Sequence, residues 1–148
     1  MGTPYADVYN MFLAKITESL YVEMEDDEKD IEFLLLLNQA ILEFKYPRVD
    51  IADKDDEAQE FNVTLTNAEI QIISEAMKLK WLEQQINDEE LVKMQFSDRD
   101  YSLMSQGAHL FRLITSKQEI ERNLKTMQYR YSLVKDRKPD FSGLAGGG

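Results

Sequence analysis

The stretch from Thr66 to Ile86 constrains the fold most, because its apolar residues fall on two faces of one predicted helix. Thr66 is a favoured N-cap residue, and Glu69 stands three positions later, where its carboxylate can accept a hydrogen bond from the N–H of Thr66. The apolar residues step by three and four in two stripes, Ile70, Ile73, Met77 and Trp81 in one and Ile72, Ala76, Leu79, Leu82 and Ile86 in the other. A helix with two apolar stripes is covered from more than one side, so the pattern predicts a central helix.

A shorter amphipathic helix is predicted near residue 1. Thr3 precedes Pro4, an order typical of an N-cap followed by the first helical position. The helix is expected to run to about Ser19. Its apolar face, at helical spacing, consists of Tyr5, Val8, Phe12, Ile16 and Leu20.

The second predicted helix, roughly residues 28–46, carries more apolar side chains than a small bundle can cover. Its sequence contains IEFLLLLNQAILEF, and aliphatic residues occupy so much of its circumference that one neighbour cannot bury them all. We expect Asp27 and Asp30 to cap the N-terminus of this helix and Pro47 to end it. We therefore predict that Ile31 and Leu35 contribute to an interface between subunits.

Residues 47–65 form the one long irregular segment that we predict, and they are rich in acidic side chains. Within the segment, residues 49–51 and 61–63 could pair as short extended pieces. The acidic residues do not fit a calcium-binding loop, which needs glycine at its sixth position and glutamate at its twelfth. Counted from Asp53, those positions hold Ala58 and Thr64. We therefore expect a charged, solvated loop and no metal site.

A last long helix is predicted over about residues 105–134, after a short helical turn at 88–94. Gly107 is expected to separate it from a short helix at 98–104. Its apolar seam, interrupted by Lys117, consists of Leu110, Leu113, Ile120, Leu124, Met127, Tyr131 and Val134. Lys117 either extends its ammonium group to solvent from a packed stem or faces an acidic group on a neighbouring helix or subunit. We assign Lys117, and with it Trp81, to the predicted subunit interface.

Taken together, these elements predict an all-α bundle of about four main helices with a long acidic loop. Pro139 is expected to end regular structure, and glycine residues dominate the sequence that follows it. We therefore divide the chain into a helical domain, residues 1–134, and a flexible C-terminal arm, residues 135–148.

The charge of the chain is unevenly distributed. Residues 1–111 hold nine Lys and Arg against 24 Asp and Glu, whereas residues 112–148 hold eight against four, for a net charge of −11. An acidic body argues against sequence-independent DNA binding, which needs clustered cations. The longest uninterrupted apolar run, residues 33–37, is far shorter than the ~20 residues of a membrane helix. We therefore expect a soluble protein with no membrane contact.

Residue types that carry out catalysis are scarce. The sequence has no cysteine, and its single histidine, His109, has no second imidazole or thiolate with which to share a transition metal. Nucleotide-binding glycine motifs and the nucleophile motif GxSxG are absent from the sequence. We predict no catalytic residue, no cofactor and no metal site. A metal-dependent helical enzyme that uses the acidic loop is a weak alternative.

Residues 61–110 resemble head–tail connector proteins, or neck adaptors, of tailed bacteriophages that infect Gram-positive bacteria. The similarity lies in three phrases, which are Phe61 to Leu65, Trp81-Leu82 with Gln85-Ile86-Asn87, and Ser105-Gln106 with His109-Leu110. The resemblance covers a third to a half of the chain.

This resemblance implies a structural virion protein of the phage neck, assembled in the host cytoplasm. Family members form a ring, usually of twelve copies, that joins the portal protein to a stopper or tail-completion protein. The ring extends the channel for genomic DNA without binding it specifically. A C-terminal arm that docks on the portal is also implied, and in this chain it would use Lys135, Arg137, Lys138, Pro139, Phe141 and Leu144. The alternative from another class is a non-viral helical module for protein–protein interaction.

Overall fold

The computed structural model describes the backbone of residues 2–16, 25–95 and 100–147, and the side chains of residues 2–16, 25–88, 90 and 107–134. Within these ranges the chain forms a small all-α bundle with one short hairpin. The elements are α1 (Tyr5–Lys15), α2 (Asp26–Glu43), β1 (Lys54–Asp55), β2 (Glu60–Phe61), α3 (Asn67–Gln95) and α4 (Asp100–Gly147).

Helix α3 is the central helix, as predicted, and α1, α2 and α4 all pack against it. Its start is the predicted capping box: the N–H of Thr66 donates to Glu69 Oε1 over 2.8 Å, and the N–H of Glu69 donates to Thr66 Oγ1 over 3.2 Å. Most of both stripes is buried, namely Ile72, Ile73, Ala76, Met77, Leu79, Leu82 and Ile86. The predicted turn at 88–94 belongs to the same continuous helix.

Helix α1 buries the predicted face, but Thr3 is not its N-cap. Pro4 occupies that position, and the N–H of Thr3 donates to the carbonyl of Val63 while its own carbonyl accepts from the N–H of Phe61. The Thr3 hydroxyl accepts from the N–H of Leu65 over 2.8 Å instead. The helix ends at Lys15, and the predicted residues beyond Ile16 lie outside the described ranges.

Aromatic side chains join α1 to its neighbours. Tyr5 packs edge-on against Phe61, with ring centroids 5.1 Å apart. On the other side, Tyr9 and Phe12 meet the ring of Phe33 on α2 at 5.3 and 5.6 Å. These edge-to-face contacts fix the position of α1 against β2 and α2.

Helix α2 has different ends from those predicted. Glu25 stands at the N-cap without a side-chain cap bond, so Asp27 lies in the first turn rather than at the cap. The helix ends at Glu43, before Pro47 could stop it, because Phe44 leaves the helix and turns into the core. Phe44 packs edge-on against Tyr131 at 5.2 Å.

The acidic segment contains the hairpin β1–β2, in which Lys54 pairs with Phe61 and Asp55 with Glu60. The predicted strand at 49–51 was therefore wrong, although Phe61 does pair. Asp55 Oδ1 accepts hydrogen bonds from the N–H groups of Glu57 and Ala58. This acidic side chain thus closes the turn of the hairpin, a local use that aspartate commonly serves.

Helix α4 is continuous, so the predicted break at Gly107 was wrong. The seam was correct in its middle: Leu110, Ile120, Leu124 and Tyr131 are buried, whereas Val134 is exposed. The backbone stays helical past Pro139 to Gly147, although we expected regular structure to end there. Proline removes one backbone donor, but it does not forbid helical residues on its far side. The flexibility of the arm stays a prediction.

Candidate interaction surfaces

An apolar stripe lies on the outer side of α2. Ile31 is 71% exposed, Leu35 48% and Leu42 84%, and we call these three residues the outer stripe of α2. The opposite side of the helix is buried and consists of Phe33, Leu36, Leu37 and Ala40. The excess of apolar residues that the sequence indicated is therefore at the surface in this single chain.

Covering this stripe would be favourable. Complete burial of one leucine or isoleucine side chain is worth roughly 1.5–3 kcal/mol relative to leaving it in water. Ile31, Leu35 and Leu42 lie within 11 residues of one another, so a single partner element can contact all three. The exposure of Ile31 and Leu35 leaves them accessible to a partner, and their role in a subunit interface stays a prediction.

A second exposed surface, which the sequence analysis did not identify, lies on α4 opposite its buried seam. Phe111 is 70% exposed, Tyr129 64% and Leu133 37%, and Arg122 is exposed between them. We call these four residues the outer face of α4. The exposed basic residues on its flanks are Arg112, Lys125 and Arg130. The spacing of Phe111 and Tyr129 at helical steps away from the seam was the signal that could have revealed this face.

Lys117 faces an acidic group within the same chain. Its Nζ lies 3.7 Å from Glu83 Oε2 on α3. Glu83 also pairs with Lys80 at 3.2 Å, and Lys80 pairs with Glu43 of α2 at 2.7 Å. Burial lowers the pKa of Lys80, but the hydrogen bonds to Glu43 and Glu83 outweigh this effect and leave the pKa raised. This chain of ion pairs connects α2, α3 and α4 on one side of the bundle.

Trp81 lies against the core on the same helix as Glu83, and it is only partly exposed. Its indole Nε1 is buried and has no hydrogen-bond partner among the residues that the structure describes. A role of Trp81 in a subunit interface stays a prediction.

Tyr131 is the centre of a buried polar network. Its hydroxyl donates to Glu69 Oε2 over 2.6 Å and accepts from the N–H of Arg48 over 2.8 Å. The guanidinium of Arg48 stacks over the Tyr131 ring at 4.2 Å and donates to the Tyr131 carbonyl. Burial, together with the hydrogen bond to Glu69, raises the pKa of Tyr131 to about 12.

Gln128 extends this network to the end of α2. Its Oε1 accepts from the N–H of Lys45 over 2.6 Å, and its Nε2 donates to the carbonyl of Glu43 over 3.1 Å. The residues after α2 are thereby fastened to α4. Both carboxylate oxygens of Glu69 accept hydrogen bonds, one from the N–H of Thr66 and one from the hydroxyl of Tyr131. The network therefore connects the start of α3 to α4.

The acidic loop makes hydrogen bonds within the chain. Tyr5 and Lys54 both donate to Asp56 Oδ1 at 2.6 Å, and these hydrogen bonds lower the pKa of Asp56. Among the residues that the structure describes, no group of three or more Asp, Glu or His side chains could hold a metal ion. His109 is exposed on α4.

A groove of about 370 Å³ lies beside Tyr131, between α4 and the start of α3. Its walls combine Ile72, Met127 and Val134 with the arginines Arg48 and Arg130. In the sequence, the predicted portal-binding residues begin directly after Val134, which lines this groove. Their backbone belongs to α4, and their side chains, which are those of Lys135, Arg137, Lys138, Pro139, Phe141 and Leu144, lie outside the described set.

Comparison with known proteins returns no match to a family model, a curated protein or a solved structure. A search of the described helices for a segment that is long and apolar enough to span a bilayer finds none.

Proposed function

We propose that this protein is a structural, non-enzymatic component of the neck of a tailed bacteriophage. Copies of the chain form an oligomeric ring that joins the portal to the stopper or tail-completion protein. The ring extends the channel through which genomic DNA passes. Its location is the virion neck, after assembly in the host cytoplasm.

The observation that carries this proposal is the exposure of the outer stripe of α2. Ile31 and Leu42 are more than two-thirds exposed on a helix whose other side is fully packed. Apolar residues in a row on one helix face mark a site where another protein binds. The resemblance of residues 61–110 to neck adaptors specifies the kind of assembly.

The charge distribution fits a conduit for DNA. The first 111 residues hold 24 acidic against nine basic residues, so most of the ring would be negative. A negative lumen repels the phosphate backbone, which lets the duplex pass without being held.

The direct test is electron microscopy of the purified protein mixed with the portal protein encoded in the same genome. We expect a ring of fixed copy number on one end of the portal. Portal particles that gain no density at saturating protein would overturn the proposal.

A pair of truncations tests the docking arm. Removal of residues 135–148 should abolish portal binding and leave the thermal midpoint nearly unchanged. The matched control removes only residues 145–148 and should bind normally. Normal binding by the longer truncation would show that the arm is not the docking element.

The same exposed stripe also suits a cellular helical interaction module with one partner helix and no ring. Capture of a single host protein at one-to-one stoichiometry, with no binding to the portal, would select this second candidate.

A further inference from the structure

We propose that the outer stripe of α2 in one copy of the chain packs against the outer face of α4 in the next copy. The contact is heterologous, which means that two different surfaces meet. It rests on the proposed ring and names the surfaces that close it.

The two surfaces carry opposite charge. Beside the outer stripe of α2, the first turn of the helix holds Asp26, Asp27 and Glu28, all exposed. The outer face of α4 has Arg122 at its centre, and on its flanks the exposed basic residues Arg112, Lys125 and Arg130 outnumber the exposed Glu119 and Glu121. An acidic apolar surface and a basic apolar surface attract each other, and this attraction fixes the orientation of the two copies.

The spacing of charged and apolar groups also matches. On α2, Glu28 precedes Leu35 by seven residues, and on α4, Arg122 precedes Tyr129 by seven residues. In both helices this corresponds to a rise of ~10 Å on the same side of the helix. When the two helices run parallel and Glu28 faces Arg122, Leu35 therefore faces the ring of Tyr129.

The two surfaces cannot meet within one molecule. Each helix packs against α3 through the side that faces away from its outer surface, and Leu37 of α2 and Leu124 of α4 are buried there. The outer stripe and the outer face consequently point away from the bundle, and each is accessible to another copy.

Pairing of two identical stripes is disfavoured. If two α2 helices met face to face, their acidic first turns would contribute like charges to the same contact, a juxtaposition that weakens association. A contact between different surfaces repeats from copy to copy, and it closes into a ring when the rotation between copies is suitable.

Two variants, each defective in one surface, test this arrangement by sedimentation velocity. The first is Glu28→Lys with Ile31→Lys, and the second is Arg122→Glu with Tyr129→Glu. The four positions are exposed, so both variants should keep the wild-type thermal midpoint. Glu57→Lys, in the exposed turn of the hairpin, is the control for a charge reversal away from both surfaces.

We expect wild type and the control to associate with increasing concentration, and each variant alone to be monomeric, with Kd raised at least about a hundredfold. An equimolar mixture of the two variants should form a dimer that does not grow, because each partner keeps one intact surface. Self-association of the Arg122→Glu variant would show that α2 stripes pair with each other. A wild type that is monomeric up to about 1 mM, the weak end of specific binding, would also overturn the proposal.

The neck role and the contact between copies can be refuted independently of each other. Association through these two surfaces without portal binding would refute the neck role and leave the contact intact. Rings on the portal formed equally well by both variants would refute the contact and leave the neck role intact.

Discussion

Removing one hydroxyl from the buried network should destabilise this bundle strongly. In Tyr131→Phe, Glu69 Oε2 loses a donor at 2.6 Å and the N–H of Arg48 loses an acceptor at 2.8 Å. Tyr131 is 4% exposed and Glu69 1%, so water cannot replace the hydroxyl without the packing opening.

The expected cost follows from the two groups left unpaired. A buried polar group without its partner costs about 1–3 kcal/mol, with the upper end applying to charged groups. The phenylalanine ring keeps its packing with Phe44, so loss of apolar contact adds little. We therefore expect the free energy of unfolding to fall by about 2–4 kcal/mol.

Urea unfolding followed by circular dichroism measures this difference. Tyr129→Phe is the matched control: the residue is 64% exposed, and its hydroxyl removal should change stability by less than about 0.5 kcal/mol. A double-mutant cycle with Glu69→Gln should give a coupling of about 0.5–3 kcal/mol, since the two side chains are in contact. A loss below about 1 kcal/mol for Tyr131→Phe would refute the claim that this hydroxyl fastens α4 to α3.

Three further outcomes follow from the same contacts. Thr3→Val should cost about 1–2 kcal/mol in urea unfolding, because the buried N–H of Leu65 loses its acceptor; an unchanged midpoint would contradict this. Lys117→Met should change the free energy of unfolding by less than about 0.5 kcal/mol, since the side chains of Lys117 and Glu83 are each about a third exposed. A larger loss would show that this ion pair helps to fix the position of α4 against α3. Because the pKa of Tyr131 is raised in the folded chain, its protonated hydroxyl contributes stability that is fully present below pH 10. This contribution is lost as the pH rises towards about 12, because the unfolded chain gives up the proton first. Urea midpoints should therefore fall between pH 10 and about 12, and they should fall less steeply in Tyr131→Phe.

Features that depend on neighbours in sequence were predictable. The capping box needs only Thr66 and a glutamate three residues later, and both hydrogen bonds are present. The buried side of α3 followed from helical period alone, because the two stripes reflect contacts on two sides.

Features that depend on distant residues were not predictable from local pattern. Thr3 has the character of an N-cap, but its hydroxyl is used by Leu65, 62 positions away. Helix α2 ends before Pro47, where Phe44 turns into the core and Gln128 of α4 binds the backbone of Glu43 and Lys45. In both cases tertiary contacts outweighed a local signal.

The two interaction surfaces illustrate what apolar periodicity reports. On α2 the aliphatic residues outnumber the positions of one buried face, so the excess had to be exposed, and Leu42 is the clearest case at 84%. On α4 the seam accounted for a complete buried face, and no role was predicted for Phe111 and Tyr129 on the other side, which are exposed. Their significance becomes visible only when α2 and α4 are both seen to pack against α3 through their buried faces, with acidic groups beside one outer surface and Arg122 on the other. A chain with complementary surfaces on two different helices can bind one copy of itself through each surface, which is the property that a ring subunit requires.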